Sequence, residues 1–238
     1  MVAIILAGGF GTRLRTVVND RPKPLANLGD APFLFYLLKY LENEGVTKFV
    51  FSLGYLHEQI EAFLDESFSH LNYKVVVEST PLGTGGAVKL CTEQIEEEEI
   101  LLVNADTFFE LNITGLQTYY HSKNADCVIA LTEMHNFDRY GVVKLNEQLR
   151  VESFIEKQPT KSGLINTGLI MLGKTALQPY FNSHSGAFSL EKDILEPNIA
   201  KINIYGMPQA GFFIDIGIPE DYNKALENIS FFEGLVQE

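Results

Sequence analysis

Short apolar runs alternate with amphipathic stretches along the first half of the chain. Residues 2–6 read as a buried strand, Phe33, Leu34, Leu37, Leu38 and Leu41 recur at helical spacing, and residues 48–53 return to strand character. The same rhythm predicts a helix around 58–65, a strand over 73–78, a helix over 86–95, a strand over 100–104, a helix around 116–122 and a strand over 127–131. Such alternation specifies a mostly parallel sheet wound on both faces. After residue 136 the pattern changes to a hairpin, 140–145 and 150–155 about Asn146-Glu147, then a strand over 164–172, which reads as a second lobe packed on the first. Neither a Pro/Gly/Ser linker nor a 20–50-residue repeat interrupts the chain. One domain over 1–238 is expected, with functional halves of about 1–135 and about 136–238.

Composition narrows the classes. At 238 residues and 46% apolar the chain can bury a full core, while its longest apolar runs fall far short of the ~20 residues of a membrane span. The leading Met-Val-Ala-Ile-Ile lacks a basic flank, so a cytoplasmic protein with no membrane partner is expected. A net charge of −13 argues against nucleic acid, which needs an extended basic face. Cys91 and Cys127 have neither C-x-x-C spacing nor a nearby His, so buried reduced thiols are expected, with no disulfide and no zinc site.

Against that acidic background, the stretch after the first strand stands out. Leu6-Ala7-Gly8-Gly9-Phe10-Gly11-Thr12-Arg13 combines a strand end, three glycines and a cation, and Lys23 follows between Pro22 and Pro24. Glycines let backbone approach a ligand, and free N–H groups at a strand-to-helix turn bind anions. Leu14 stands where a dinucleotide fingerprint needs its third glycine, and the P-loop spacing is absent. A triphosphate fits: Gly8, Gly9, Gly11 and Thr12 around its oxygens, Arg13 on the departing phosphates, and Lys23 as a point charge on the phosphorus attacked.

Further polar groups fall beside strands. Asn104-Ala105-Asp106 closes an apolar run, placing Asp106 at a strand's carboxyl edge as a candidate magnesium ligand or a turn residue. Asp215 sits among Phe212, Phe213, Ile214 and Ile216, a setting that demands a metal or a hydrogen-bond partner. Leu82-Gly83-Thr84-Gly85-Gly86 is a second glycine loop, whose backbone can read a base edge. Just upstream, Glu78 is an acceptor-only group that suits the adjacent N–H donors of guanine, and equally suits a strand end. Arg139-Tyr140-Gly141, Glu156-Lys157 and Asn166-Thr167-Gly168 supply candidates for a sugar phosphate: Glu156 and Asn166 for hydroxyls, Lys157 for the phosphate. Each of these also reads as an ordinary hairpin or strand-end residue.

Taken together, Leu6 through Leu14, Pro22-Lys23-Pro24-Leu25, the 82–86 loop, Asn104-Ala105-Asp106, Glu156-Lys157, Asn166-Thr167-Gly168 and Asp215-Ile216-Gly217 resemble the signatures of the sugar-1-phosphate nucleotidylyltransferases. Ala105 stands where many members carry Gly, and Gln158 separates Lys157 from Pro159. The resemblance implies a Rossmann-like three-layer α/β/α fold with a mostly parallel mixed sheet. It also implies Mg²⁺ on Asp106 and Asp215, and a nucleoside triphosphate and a sugar 1-phosphate as substrates. Residues 14–25, 31–34 and 212–222 look most like the members that transfer GMP to D-glycero-α-D-manno-heptose 1-phosphate, while mannose-1-phosphate guanylyl, uridylyl and thymidylyl members share the core motifs. The chain stops soon after Asp215, so a monofunctional protein without the β-helix or acyltransferase extensions of some relatives is expected, and a homodimer is open.

The chemistry needs no activated nucleophile. A sugar 1-phosphate has a second pKa of ~6 and is already an oxyanion at neutral pH, which accounts for five scattered histidines with no catalytic triad. Phosphoryl transfer then rests on positioning and charge neutralisation. A silent nucleotide-sugar sensor is the competing reading, and intact Arg13, Lys23, Asp106, Lys157 and Asp215 weigh against it.

Overall fold

In the computed structural model, which describes residues 1–9, 14, 18 and 20–236, the chain begins with β1 (Val2–Ala7), a 3₁₀ turn at Lys23–Leu25, and the short strands β2 (Asn27–Leu28) and β3 (Ala31–Pro32). Next come α1 (Phe33–Asn43), β4 (Lys48–Leu53), α2 (His57–Ser67), β5 (Tyr73–Val77), α3 (Gly83–Thr92), β6 (Glu99–Asn104), β7 (Thr107–Phe109) and α4 (Ile113–Ser122). The remainder forms β8 (Cys127–Phe137), β9 (Val142–Leu145), β10 (Val151–Ile155), β11 (Thr160–Gly173), α5 (Lys174–Asn182) and a π-helical turn at Leu190–Leu195. It closes with β12 (Ile204–Pro208), β13 (Phe213–Asp215), α6 (Pro219–Glu227) and α7 (Ile229–Gly234).

A seven-stranded sheet runs in the order β12-β8-β11-β6-β1-β4-β5. Its pairs are parallel except around β11, which lies antiparallel to both β6 and β8. Residues of β1 alternate between two cores: Ala3, Ile5 and Ala7 face α1, α2, α4, α6 and α7, whereas Val2 and Ile4 face α3, α5 and the π-helical turn. Helices therefore cover both faces, and the three-layer, mostly parallel mixed sheet is the expected one. Apolar runs such as Ile100–Val103 are buried on both sides because parallel strands between two helical layers meet no water.

Three differences from the sequence reading have physical causes. The stretch beyond 136 is not a lobe laid on the first, because β11 and β12 join the central sheet itself, while the β9–β10 hairpin and the β13–β7 pair stand apart from it. Strand β8 extends to Phe137 because its polar end pairs with Thr160 and Ser162 of β11. Helix α3 starts at Gly83, not at Gly86. Glycine propensity argues against such a start, but the N–H groups of Gly85 and Gly86 donate to the Phe188 carbonyl at 2.9 and 3.4 Å, and tertiary packing overrides propensity.

Candidate active site

The carboxyl ends of β1, β5 and β6 surround a cavity of about 340 Å³. Leu6, Ala7, Gly8 and Gly9 line it from β1 and the residues after it, Glu78 follows β5, Gly83 and Thr84 open α3, and Asn104, Ala105 and Asp106 close β6. Crevices at the carboxyl ends of parallel strands are where open α/β sheets bind ligands. A second cavity of about 440 Å³ adjoins it and shares Thr84, Asn104 and Asp106. Tyr140, Gly141, Glu156, Lys157, Asn166 and Asp215 line the second cavity, with Arg139, Glu191 and Lys192.

Lys23, Asp106 and Asp215 meet at the junction. The 3₁₀ turn Lys23–Leu25, entered from Pro22, starts at Lys23, whose Nζ donates to Asp106 Oδ2. β7 and β13 pair antiparallel with Asp215 opposite Thr107, and the Ile216 N–H donates to the Asp106 carbonyl at 3.0 Å. Asp215 is held by the Gly217 N–H on Oδ1 at 2.7 Å and by the Tyr140 hydroxyl on Oδ2 at 3.2 Å. Burial, reinforced by the negative charge of Asp106, pushes the Asp215 carboxyl above its ordinary range. Tyr140 is pushed up in turn, by burial and then by Asp215. A cation placed here would relieve both carboxylates. Among the described residues no cluster of three or more His, Cys, Asp or Glu could hold a metal. Two carboxylates suit an ion that takes its other ligands from phosphate and water, as Mg²⁺ does.

Several polar side chains in the second cavity already have partners. Lys192 Nζ donates to Glu156 Oε1, and Asn166 Nδ2 donates to Glu191 Oε1 at 2.6 Å. The Arg139 guanidinium lies 5.4 Å over the Tyr140 ring and donates to Asp221, which Lys224 also contacts at 2.9 Å. Asn166-Thr167-Gly168 coincides with a register break in β11 between Asn166 and Ile170. Bulges of this kind re-aim side chains beside sites. Gly168 has φ +84°, and a Cβ there would come 2.4 Å from Thr107 Oγ1, so only glycine fits.

Several expected site residues are placed otherwise. Thr167 is fully buried and donates to the Ala130 carbonyl, and neither it nor Gly168 lines either cavity. They shape the bulge that carries Asn166. The 82–86 loop does not offer a row of free amides to a base, since Gly85 and Gly86 bond to Phe188, while Gly83 and Thr84 do line the first cavity. Gly11, Thr12 and Arg13 lie outside the described residues. Both cysteines are buried free thiols. Glu191, Lys192 and Asp221 escaped the sequence reading. The one local signal is Ser189, which caps the π-helical turn by accepting from the Lys192 N–H at 3.2 Å; it marks a helix start but not where that helix packs.

The chain belongs to the nucleotidyl transferase family, whose profile matches residues 2–230. Within it, the chain is 38% identical over 232 residues to the D-glycero-alpha-D-manno-heptose 1-phosphate guanylyltransferase of Aneurinibacillus thermoaerophilus, covering 98% of this chain and all of that one. The enzyme of the same name from Campylobacter jejuni is 37% identical over 228 residues, 96% of this chain and all of the relative. Among solved structures, HddC from Yersinia pseudotuberculosis aligns with a TM-score of 0.86 at 35% identity, covering 95% of this chain and 98% of that one. The same protein complexed with GMP-PN aligns with a TM-score of 0.83 at 34% identity. The family read from the motifs is thus the family of the chain.

Proposed function

We propose that the protein transfers GMP from GTP to D-glycero-α-D-manno-heptose 1-phosphate, giving GDP-D-glycero-α-D-manno-heptose and pyrophosphate. One observation carries the reading: two cavities meet at Asp106 beside Lys23 and Asp215, in a chain that aligns end to end with heptose 1-phosphate guanylyltransferases. The first cavity takes the nucleotide, and its lining comes entirely from residues 6–106. The second takes the sugar phosphate, with most of its lining from residue 139 onward. The functional halves of about 1–135 and about 136–238 correspond to these substrates.

In this mechanism an oxygen of the sugar phosphate attacks the α-phosphorus of GTP as the bond to the β-phosphate breaks, and the electron pair leaves with pyrophosphate. The nucleophile arrives ionised, so no side chain has to remove a proton. Gly8, Gly9, Gly11 and Thr12 hold the triphosphate, Arg13 neutralises the leaving pyrophosphate, and Lys23 turns from Asp106 to the α-phosphate. Lys157 and Arg139 steer the incoming phosphate, Glu156 and Asn166 bind sugar hydroxyls, and Glu78 faces the base. Asp106 and Asp215 are the residues that would hold Mg²⁺, which supplies charge neutralisation on the phosphates when bound. No helix among the described residues is long and apolar enough to cross a membrane.

Pyrophosphate release tests this, with GTP, UTP, dTTP, CTP or ATP offered against the heptose 1-phosphate and, in parallel, mannose 1-phosphate. Turnover confined to GTP with the heptose is expected. Turnover with mannose or another base replaces the substrate, and binding without pyrophosphate release in any pairing identifies a sensor.

A further inference from the structure

Ser52 is a fully buried polar residue in β4, between Phe51 and Leu53, which are buried as well. A hydroxyl in such a place is costly unless bonded. It donates to Glu78 Oε1 at 2.9 Å. The other carboxylate oxygen, Oε2, accepts the Leu82 N–H, also at 2.9 Å. The buried thiol of Cys91 is a neighbour of Ser52. Gly8 stands against the same carboxylate, since a Cβ there would come 2.6 Å from Oε1. Glu78 lines the first cavity, so a side chain that faces the ligand is fixed from behind at both oxygens.

That fixing has a chemical consequence. A carboxylate offers about four lone-pair positions, and two are taken by Ser52 and Leu82, leaving one on each oxygen for the cavity. An ionised carboxylate can only accept. Guanine presents two neighbouring donors, N1–H and the N2 amino group, whereas adenine, cytosine and uracil each place an acceptor beside any donor on that edge. We propose that Ser52 is a positioning residue for base choice: its hydroxyl, with the Leu82 N–H, aims Glu78 so that the free lone pairs meet the adjacent donors of guanine. The proposal rests on the GMP-transfer reading.

The test compares GTP with inosine triphosphate, which lacks only the 2-amino group, in the wild type, Ser52→Ala and Ser52→Thr. Pyrophosphate release gives KM and kcat at saturating heptose 1-phosphate, and calorimetry gives nucleotide affinity with no sugar phosphate present. Hydrogen bonds to charged groups of this kind set a preference of about tenfold for GTP in kcat/KM. Ser52→Ala is expected to raise KM for GTP about tenfold with kcat within about twofold, and to shrink the preference toward one, while Ser52→Thr restores it. A preference that survives in Ser52→Ala overturns the proposal, as does a parallel loss with both nucleotides, which is the mark of a purely structural role. If the wild type releases no pyrophosphate from GTP, the GMP-transfer reading fails, and the calorimetric GTP-to-inosine ratio in wild type and Ser52→Ala still decides the role of Ser52.

Discussion

The cavity at the ends of β1, β5 and β6 presents mainly backbone and small side chains, Ala7, Gly8, Gly9, Pro81, Gly83 and Ala105, whereas its neighbour beyond Asp106 presents Arg139, Glu156, Lys157, Glu191, Lys192 and Asp215. In the first, parallel strand ends set the shape before any ligand arrives, and buried bonds such as Ser52 to Glu78 fix the one carboxylate that lines it on the base side. In the second, polar groups already hold one another: Lys192 pairs with Glu156 and Arg139 with Asp221, and the Asn166 amide donates to Glu191. A substrate entering there has to exchange these partners for its own groups. One cavity is preorganised by backbone and the other by charges awaiting reassignment, so changes in the two should read out in different kinetic constants.

The largest effect should come from the one carboxylate that lines both cavities. Asp106→Asn is expected to lower kcat by ~10²–10³ in pyrophosphate release while moving either KM little, because a preorganised charge acts on the reacting phosphates themselves. Near-normal turnover in the folded variant would remove Asp106 from the mechanism.

Separating the cavities is the aim of Arg139→Ala. Its guanidinium lines the second cavity over the Tyr140 ring, so the expected result is a roughly tenfold higher KM for the sugar phosphate with KM for GTP unchanged. An equal rise for GTP would show that the two cavities are energetically one. Lys192→Ala probes the looser edge. Its pair with Glu156 is exposed, so the melting midpoint should not move, and KM for the sugar phosphate should rise about threefold.

A smaller, pH-dependent contrast lies behind the first cavity. Burial pushes the Cys91 thiol up to about 12, against an ordinary 9.0. The native chain therefore keeps a proton that the unfolded chain releases, so this contribution to stability is complete below about pH 9 and is lost as pH rises toward about 12. Urea midpoints should be flat up to about pH 9 and fall above it. At about pH 8 the thiolate fraction in the fold is about one in ten thousand, so iodoacetamide should label Cys91 only after denaturation. Rapid labelling of the folded protein would mean that Ser52 has a water-accessible neighbour and that Glu78 is less firmly held.

The parts of this site that the sequence displayed are those whose signals are local. Strands buried on both faces are apolar runs, so Gly8 and Asp106 at their carboxyl ends are legible from the chain alone, as is Glu78 at the end of the apolar run of the edge strand β5. Asp215 was legible because an acid among phenylalanines and isoleucines needs a partner, which Tyr140 and Gly217 supply. The start of α3 was not, since its glycines are set by Phe188, about a hundred residues away in the chain. Thr167 looked like a ligand because it lies between Asn166 and Gly168, but a bulge reverses the alternation that neighbours in a strand normally obey. Glu191, Lys192 and Asp221 carry no spacing signature; a π-helical turn and the first turn of α6 deliver them by tertiary packing alone.

The small pairing of β7 with β13 binds the fate of two distant stretches of coding sequence. Side chains alternate along a strand, so a one-residue slip in this pairing would turn Asp215 to the opposite face and away from Asp106. A single codon inserted within 213–215 would thus silence the protein while leaving its main sheet intact. The exposed stretch at 185–187 could lengthen with little penalty. Length variation in a lineage of such proteins should accumulate in the second place and be purged from the first.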